Sequence, residues 1–148
     1  MNLNRCGIYG IDLQDFGPEP LIINIDRSAQ INRNYRTALW TGQHLQATLM
    51  SIPVGGDIGL EMHDHLDQFI RIENGFALVE MGKQQNALNY RQRVNSSYAV
   101  FIPAGTWHNI TNIGCTPLKL YSIYAPPQHP FGTVHQTKKA AIAAEMHK

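Results

Sequence analysis

A chain of 148 residues fits one domain and can bury enough surface to fold without disulfide staples. With 43% hydrophobic and 16% charged residues it is a globular composition, and Lys plus Arg (12) balances Asp plus Glu (11), so no net field recruits nucleic acid or an anionic membrane. No apolar run approaches the roughly 20 residues that span a bilayer, Met1-Asn2-Leu3-Asn4-Arg5 does not open a signal peptide, and Cys6 and Cys115 lack CxxC spacing, so the expectation is a cytoplasmic protein with reduced thiols in which the sequon Asn109-Ile110-Thr111 goes unused.

Residues 1–34 read as an N-terminal extension. Pro18-Glu19-Pro20 and Asn32-Arg33-Asn34 look like loop, with one strand expected at Leu21–Ile25. From Arg36 the pattern changes to short β-branched and aromatic runs: Arg36–Thr41, Leu45–Ile52, Gly59–His63, Phe69–Glu73, Ala77–Met81, Leu88–Val94, Ala99–Ile102, His108–Asn112 and Leu118–Tyr124. Thr41-Gly42, Gly55-Gly56, Asn74-Gly75 and Ile113-Gly114 punctuate them, and Asn74-Gly75 carries the clearest hairpin signal. Strands at this spacing with no helix between them predict an all-β barrel or sandwich over 35–127. A tail over 128–148 follows, in which the Ala-rich run Lys138–His147 suits a short helix.

Two clusters carry chemistry. In Glu61-Met62-His63-Asp64-His65-Leu66-Asp67-Gln68, side chains two apart on a strand share a face, so Glu61, His63 and His65 can point the same way. Imidazole and carboxylate together suit Zn²⁺, Mn²⁺, Fe²⁺, Ni²⁺ or Co²⁺. In Pro103-Ala104-Gly105-Thr106-Trp107-His108-Asn109-Ile110-Thr111-Asn112, a Pro-x-Gly turn opens a strand and His108 follows at once.

Together the clusters resemble the two signature motifs of the cupin family. The second, PxGxxHxxxN, is met by Pro103, Gly105, His108 and Asn112, with Ser97 where an upstream glycine is usual. The first, GxxxxxHxH, three or four residues, Glu, six residues, Gly, is met by Gly55, His63 and Gly75, with Glu61 at the first His and Gln68 at the Glu. The resemblance implies a double-stranded β-helix barrel holding one divalent metal ion. Two alignments of the first motif compete. Matching letters makes His63, His65 and Gln68 the ligands with His108. Keeping the spacing makes them Glu61, His63, Gln68 and His108, and is preferred because spacing sets which way a strand side chain points. His65 then stands at the rim, as a fifth ligand or a substrate contact.

Alternation from Gln68 and His108 sends Ile70, Ile72, Ile110 and Asn112 inward, making a cavity apolar at depth and polar at the metal, suited to a small-molecule ligand. The chain is similar to the small cupins resembling the mannose-6-phosphate isomerase barrel. That implies isomerase or epimerase chemistry on a small polar molecule such as a sugar derivative; an Fe(II) dioxygenase and a non-catalytic ligand-binding module are the alternatives. His65, Tyr124 and His129 are the candidates for proton transfer, with His65 and Tyr124 preferred. No phosphate-loop, dinucleotide or Ser-His-Asp motif is present, and Arg36, Arg71, Arg91 and Arg93 do not cluster in sequence. The apolar area of Trp40, Tyr98, Trp107 and Tyr121 predicts a homodimer through a sheet face.

Overall fold

The structure, a computed structural model, describes residues 12–146. In chain order its elements are α1 (Ile25–Ile31), β1 (Arg36–Thr41), β2 (Gln46–Ile52), β3 (Asp67–Asn74), β4 (Ala77–Gly82), β5 (Tyr90–Val94), β6 (Ala99–Ile102), β7 (Trp107–Asn112), β8 (Leu118–Ala125), β9 (Val134–His135) and α2 (Lys138–Met146). A six-stranded sheet runs β6-β3-β8-β2-β1-β9 and a three-stranded sheet runs β5-β4-β7, every pairing antiparallel. This is the double-stranded, jelly-roll arrangement the motifs implied, with a short C-terminal helix. Among the described residues no helix is long and apolar enough to cross a membrane.

The interior alternates as β-structure requires, and it is graded along its length. On β8, Leu118 and Leu120 face inward at one end, Ser122 and Tyr124 at the other, all at most 1% exposed. The register stacks like on like: Ile72 opposes Leu120 and Gln68 opposes Tyr124, while β2 sets Met50 beside Leu120 and Gln46 beside Tyr124. Ile70, Ile72, Ile110, Leu118 and Leu120 therefore form an apolar plug at one end of the barrel. Each such side chain contributes about 1.5–3 kcal/mol by leaving water. The other end is lined by Gln46, Gln68, His108, Ser122 and Tyr124, and that polar end is where the metal motif lies. Ile70, Ile72, Ile110 and Asn112 all point inward as the alternation predicted.

The N-terminal extension covers the outside of the large sheet. Leu39, Ala47 and Leu49 bury their outward faces against Leu13, Phe16, Ile23 and Ile25, with Trp40, Tyr121 and Ile123 alongside. Trp40 and Tyr121, expected to supply a dimer surface, are thus partly spent within the chain.

Several expectations need correction. Leu21–Ile25 is not a strand: residue 25 opens α1. Asn24 caps it by accepting from the Arg27 N–H at 3.0 Å, Asp26 sits favourably in the first turn, and the small Ser28 and Ala29 allow close packing on the sheet. Asn74-Gly75 is a turn, with Gly75 at φ +107°, but not a hairpin, because β3 and β4 belong to different sheets. Thr41-Gly42 closes the hairpin between β1 and β2 instead. Gly59–His63 is not a regular strand. Gly59 at φ +87° bends the chain, and only Glu61 bridges to His108, by reciprocal backbone hydrogen bonds of 2.9 and 3.0 Å. Ser97 adopts the conformation of the glycine it replaces, at φ +75°.

Candidate metal centre

Backbone contacts bring the two motifs together. Glu61 is held against His108 by the bridge, and the Gly105 N–H donates to the His63 carbonyl at 2.7 Å. Gly105 makes that turn at φ +82° with nothing near its missing Cβ, so the conformation, not crowding, selects glycine. Asn112 is structural. Its Nδ2 donates to the carbonyls of Ile52 (3.0 Å) and Thr116 (2.9 Å), and its Oδ1 accepts from Gly114 N–H (2.9 Å), locking the far end of β7, the strand that carries His108 near its start.

Glu61, His63 and His108 converge, each presenting a ligand atom within 4.8 Å of the others. Glu61 Oε1 lies 3.5 Å from His63 Nε2 and 3.3 Å from His108 Nε2. His108 is fully buried, and its Nδ1 sits 2.9 Å from the Thr106 carbonyl. A carbonyl can only accept, so Nδ1 carries a proton and the ring turns its Nε2 toward Glu61. Burial pushes the Glu61 carboxyl up, but hydrogen bonds and positive charge from His108 and His63 outweigh it and hold it at about 2. Two imidazoles and a carboxylate converging in this way could hold a metal ion.

Gln68 fits the same role. It is 5% exposed, and its Nε2 donates to Ser122 Oγ at 2.7 Å, which leaves the carbonyl Oε1 buried with no hydrogen-bond partner. His63 Nε2 is likewise buried without a hydrogen bond. Orphaned buried acceptors are costly unless something binds them. The donor set, two imidazoles, one carboxylate and one amide oxygen, suits a borderline divalent ion.

His65 is not brought to the cluster. Its side chain is 75% exposed and hydrogen-bonded through Nδ1 to Asp64. The i, i+2, i+4 rule held only while the chain stayed extended, and the bend after His63 releases His65 to solvent. Tyr124 does reach the site, edge-on to the His63 ring with centroids 6.0 Å apart, and His129 packs edge-on to Tyr124 at 5.2 Å. Burial, opposed by Arg36, raises the Tyr124 hydroxyl above its ordinary range. Gln46 fixes His129, donating to its carbonyl at 2.8 Å and accepting from its N–H at 2.9 Å. Sequence reasoning did not place Arg36 or the expected C-terminal helix at the site: a cavity of about 530 Å³ beside Glu61 and His63 is lined also by Arg36, His129 and, from α2, Lys138, Ala141, Ile142 and Glu145.

The model of the "Cupin domain" family matches residues 48–124, which span both motifs. The chain is a member of the cupin family. This cupin is similar to Bacillus subtilis YrkC, at 59% identity over 90% of this chain and 72% of that protein. It is also similar to mimivirus L612 of Acanthamoeba polyphaga mimivirus, at 39% identity over 76% of this chain and 69% of the other. Among solved structures, the crystal structure of BH2720 from Bacillus halodurans superimposes with a TM-score of 0.88, at 60% identity over 88% of this chain and 99% of that one.

Proposed function

We propose that this cupin holds one divalent metal ion through Glu61, His63, Gln68 and His108, and acts on a small polar molecule, such as a sugar derivative, in isomerase- or epimerase-type chemistry. The observation that carries the reading is the convergence of Glu61, His63 and His108, supported by the buried amide oxygen of Gln68, which has no hydrogen-bond partner and whose residue pairs in register with Tyr124, the ring packed on His63. A metal bound there supplies Lewis-acid polarisation of a carbonyl or hydroxyl. The chain's own residues supply the rest. The apolar plug excludes water from the inner side, the cavity admits a ligand from the α2 side, and Tyr124 lies against His63 where its hydroxyl can hand over or hold a proton. His65 belongs to the solvent rim, where its contribution would be contact with an arriving ligand. The likeness to mannose-6-phosphate isomerase-like cupins is one of motif, and it supports the class of chemistry without choosing a substrate.

One observation favours a second reading. Two histidines and one carboxylate form the set that suits a non-haem Fe(II) dioxygenase. Elemental analysis of the purified protein discriminates: iron favours this reading, zinc, manganese or nickel the first. In either, His108→Ala should lower bound metal by at least an order of magnitude, and stoichiometric metal in that variant would overturn the site.

A further inference from the structure

The cavity beside the metal cluster contains a charge that the metal does not explain. Arg36, the first residue of β1, is 7% exposed and lines the cavity with Glu61 and His63. Burying a guanidinium is expensive unless a carboxylate or a full set of acceptors meets it. Arg36 has neither. Among the described residues it makes no ion pair with a carboxylate. Its Nη1 lies 3.1 Å from His135 Nδ1, which must be the acceptor because arginine only donates, so His135 offers a neutral ring. Its cation sits 5.3 Å above the Tyr35 ring, and its Nε is buried with no hydrogen-bond partner.

The remaining charges of the lining do not complete it: Glu61 is committed to two histidines, Lys138 is tied to Asp57, and Glu145 on α2, which has contacts of its own, forms no ion pair with Arg36 among the described residues. Among the described residues the cavity therefore offers Arg36 as a monovalent cation without a carboxylate, with the Glu61–His63–His108 cluster alongside. With Nη1 turned to His135, the guanidinium keeps the Nε–Nη2 edge, two parallel donors spaced for the two oxygens of a carboxylate. A phosphate dianion would call for a second free cation.

We propose that Arg36 is a carboxylate anchor, so that the ligand of this cupin is a small organic acid. Its carboxylate meets Arg36 and a hydroxyl or carbonyl oxygen faces the Glu61–His63–His108 end. This names the substrate class for the site proposed above and rests on that reading only for its second contact; the first contact belongs to the chain alone.

The test uses matched probes on the full-length protein, with and without added metal. Lactate, malonate and acetate are compared with propane-1,2-diol, which keeps lactate's hydroxyl but not its charge, and with inorganic phosphate. Binding is read by ligand-observed NMR and thermal shift, and metal content by elemental analysis of the same samples. Carboxylates should bind the wild type, the diol at least tenfold more weakly, and Arg36→Met should lose the carboxylates by tenfold or more with metal content unchanged. Arg36→Lys should recover only part of the loss, because ammonium lacks the planar fork. The ligand-free Arg36→Met protein should melt no lower than wild type, since removing an unpaired buried charge relieves the fold. Carboxylates that bind Arg36→Met as well as wild type, bind no better than the diol, or bind more weakly than phosphate would each overturn the proposal. So would the absence of any carboxylate binding, or a destabilised Arg36→Met that shows Arg36 to be only structural. If wild-type protein takes up no metal yet binds carboxylates through Arg36, the metal reading fails and the anchor stands.

Discussion

Replacing Glu61 by Gln while replacing His65 by Ala in a second variant separates two ways of building the metal site. Glu61→Gln keeps size and shape but removes the one negative charge among the four proposed ligands, and it takes away the oxygen that sits 3.3 Å from His108 Nε2 and 3.5 Å from His63 Nε2. Substituting a group that merely supports a ligand typically costs about 10–100-fold in metal affinity. A charged ligand must exceed that, so a loss of at least ~100-fold is expected, or about 2.7 kcal/mol at roughly 1.36 kcal/mol per decade. His65→Ala removes a side chain that is 75% exposed and bonded to Asp64, so its effect on affinity should stay within about threefold. The assay is competition for zinc against a chromogenic chelator at fixed pH, with circular dichroism confirming that both variants fold. If Glu61→Gln held zinc as tightly as wild type while His65→Ala released it, the letter-matched ligand set would be right and the spacing rule wrong.

Two further outcomes test features outside the site. Burial pushes the Glu73 carboxyl up to about 7, reinforced by Asp26 and opposed by Arg71. A folded-state value above the unfolded one means that protonated Glu73 favours the fold, a contribution fully present below about pH 4.5 and lost as pH rises through 7. Glu73→Gln, which copies the protonated form, should therefore be more stable than wild type at pH 8 by up to roughly 3 kcal/mol and match it at pH 4 in urea titrations; equal stability at both pH values would count against it. The protein should also sediment as a homodimer at high micromolar concentration, joined through the exposed Tyr90, Tyr98 and Phe101 beside β5 and β6, and Phe101→Asp should yield monomers. A wild-type monomer mass would refute this.

The barrel was legible because several strands alternate: the inward residues of β3, β6, β7 and β8 fall where the period-two pattern puts them, and β1 and β6 keep their expected bounds. The same rule failed wherever the backbone left the extended state. Gly59 and the bend after His63 broke the face that was to unite Glu61, His63 and His65, so two of those three meet and the third does not. The capping signal at Asn24 and Asp26 was present, but Leu21–Ile25 is apolar enough to read as a strand, and only packing of Ser28 and Ala29 on the sheet decides for helix. Cys6 lies outside the described residues, while Cys115 is a free, exposed thiol. Arg36 was invisible as a site residue because it belongs to β1, far in sequence from both motifs, and only the closed barrel sets it beside Glu61.

The placement of unsatisfied polar atoms argues that one end of this barrel is built for a ligand and the other for stability. At the apolar end the chief buried polar side chain, Asn112, has both its amide groups engaged by backbone. At the polar end, Arg36 Nε, Thr48 Oγ1, His63 Nε2 and Gln68 Oε1 are all buried without partners. Each costs on the order of 1–3 kcal/mol, and the cost is larger for the charged one. A sequence selected for stability alone would fill these positions with Leu, Met or Val, as it does two residues away at Met50 and Ile70. Arg36 Nε and His63 Nε2 line one cavity, and Gln68 Oε1 and Thr48 Oγ1 lie on inward-facing residues of β3 and β2; acceptors suited to a cation beside a donor suited to an anion are what the proposed binding of a metal and an organic acid together would require.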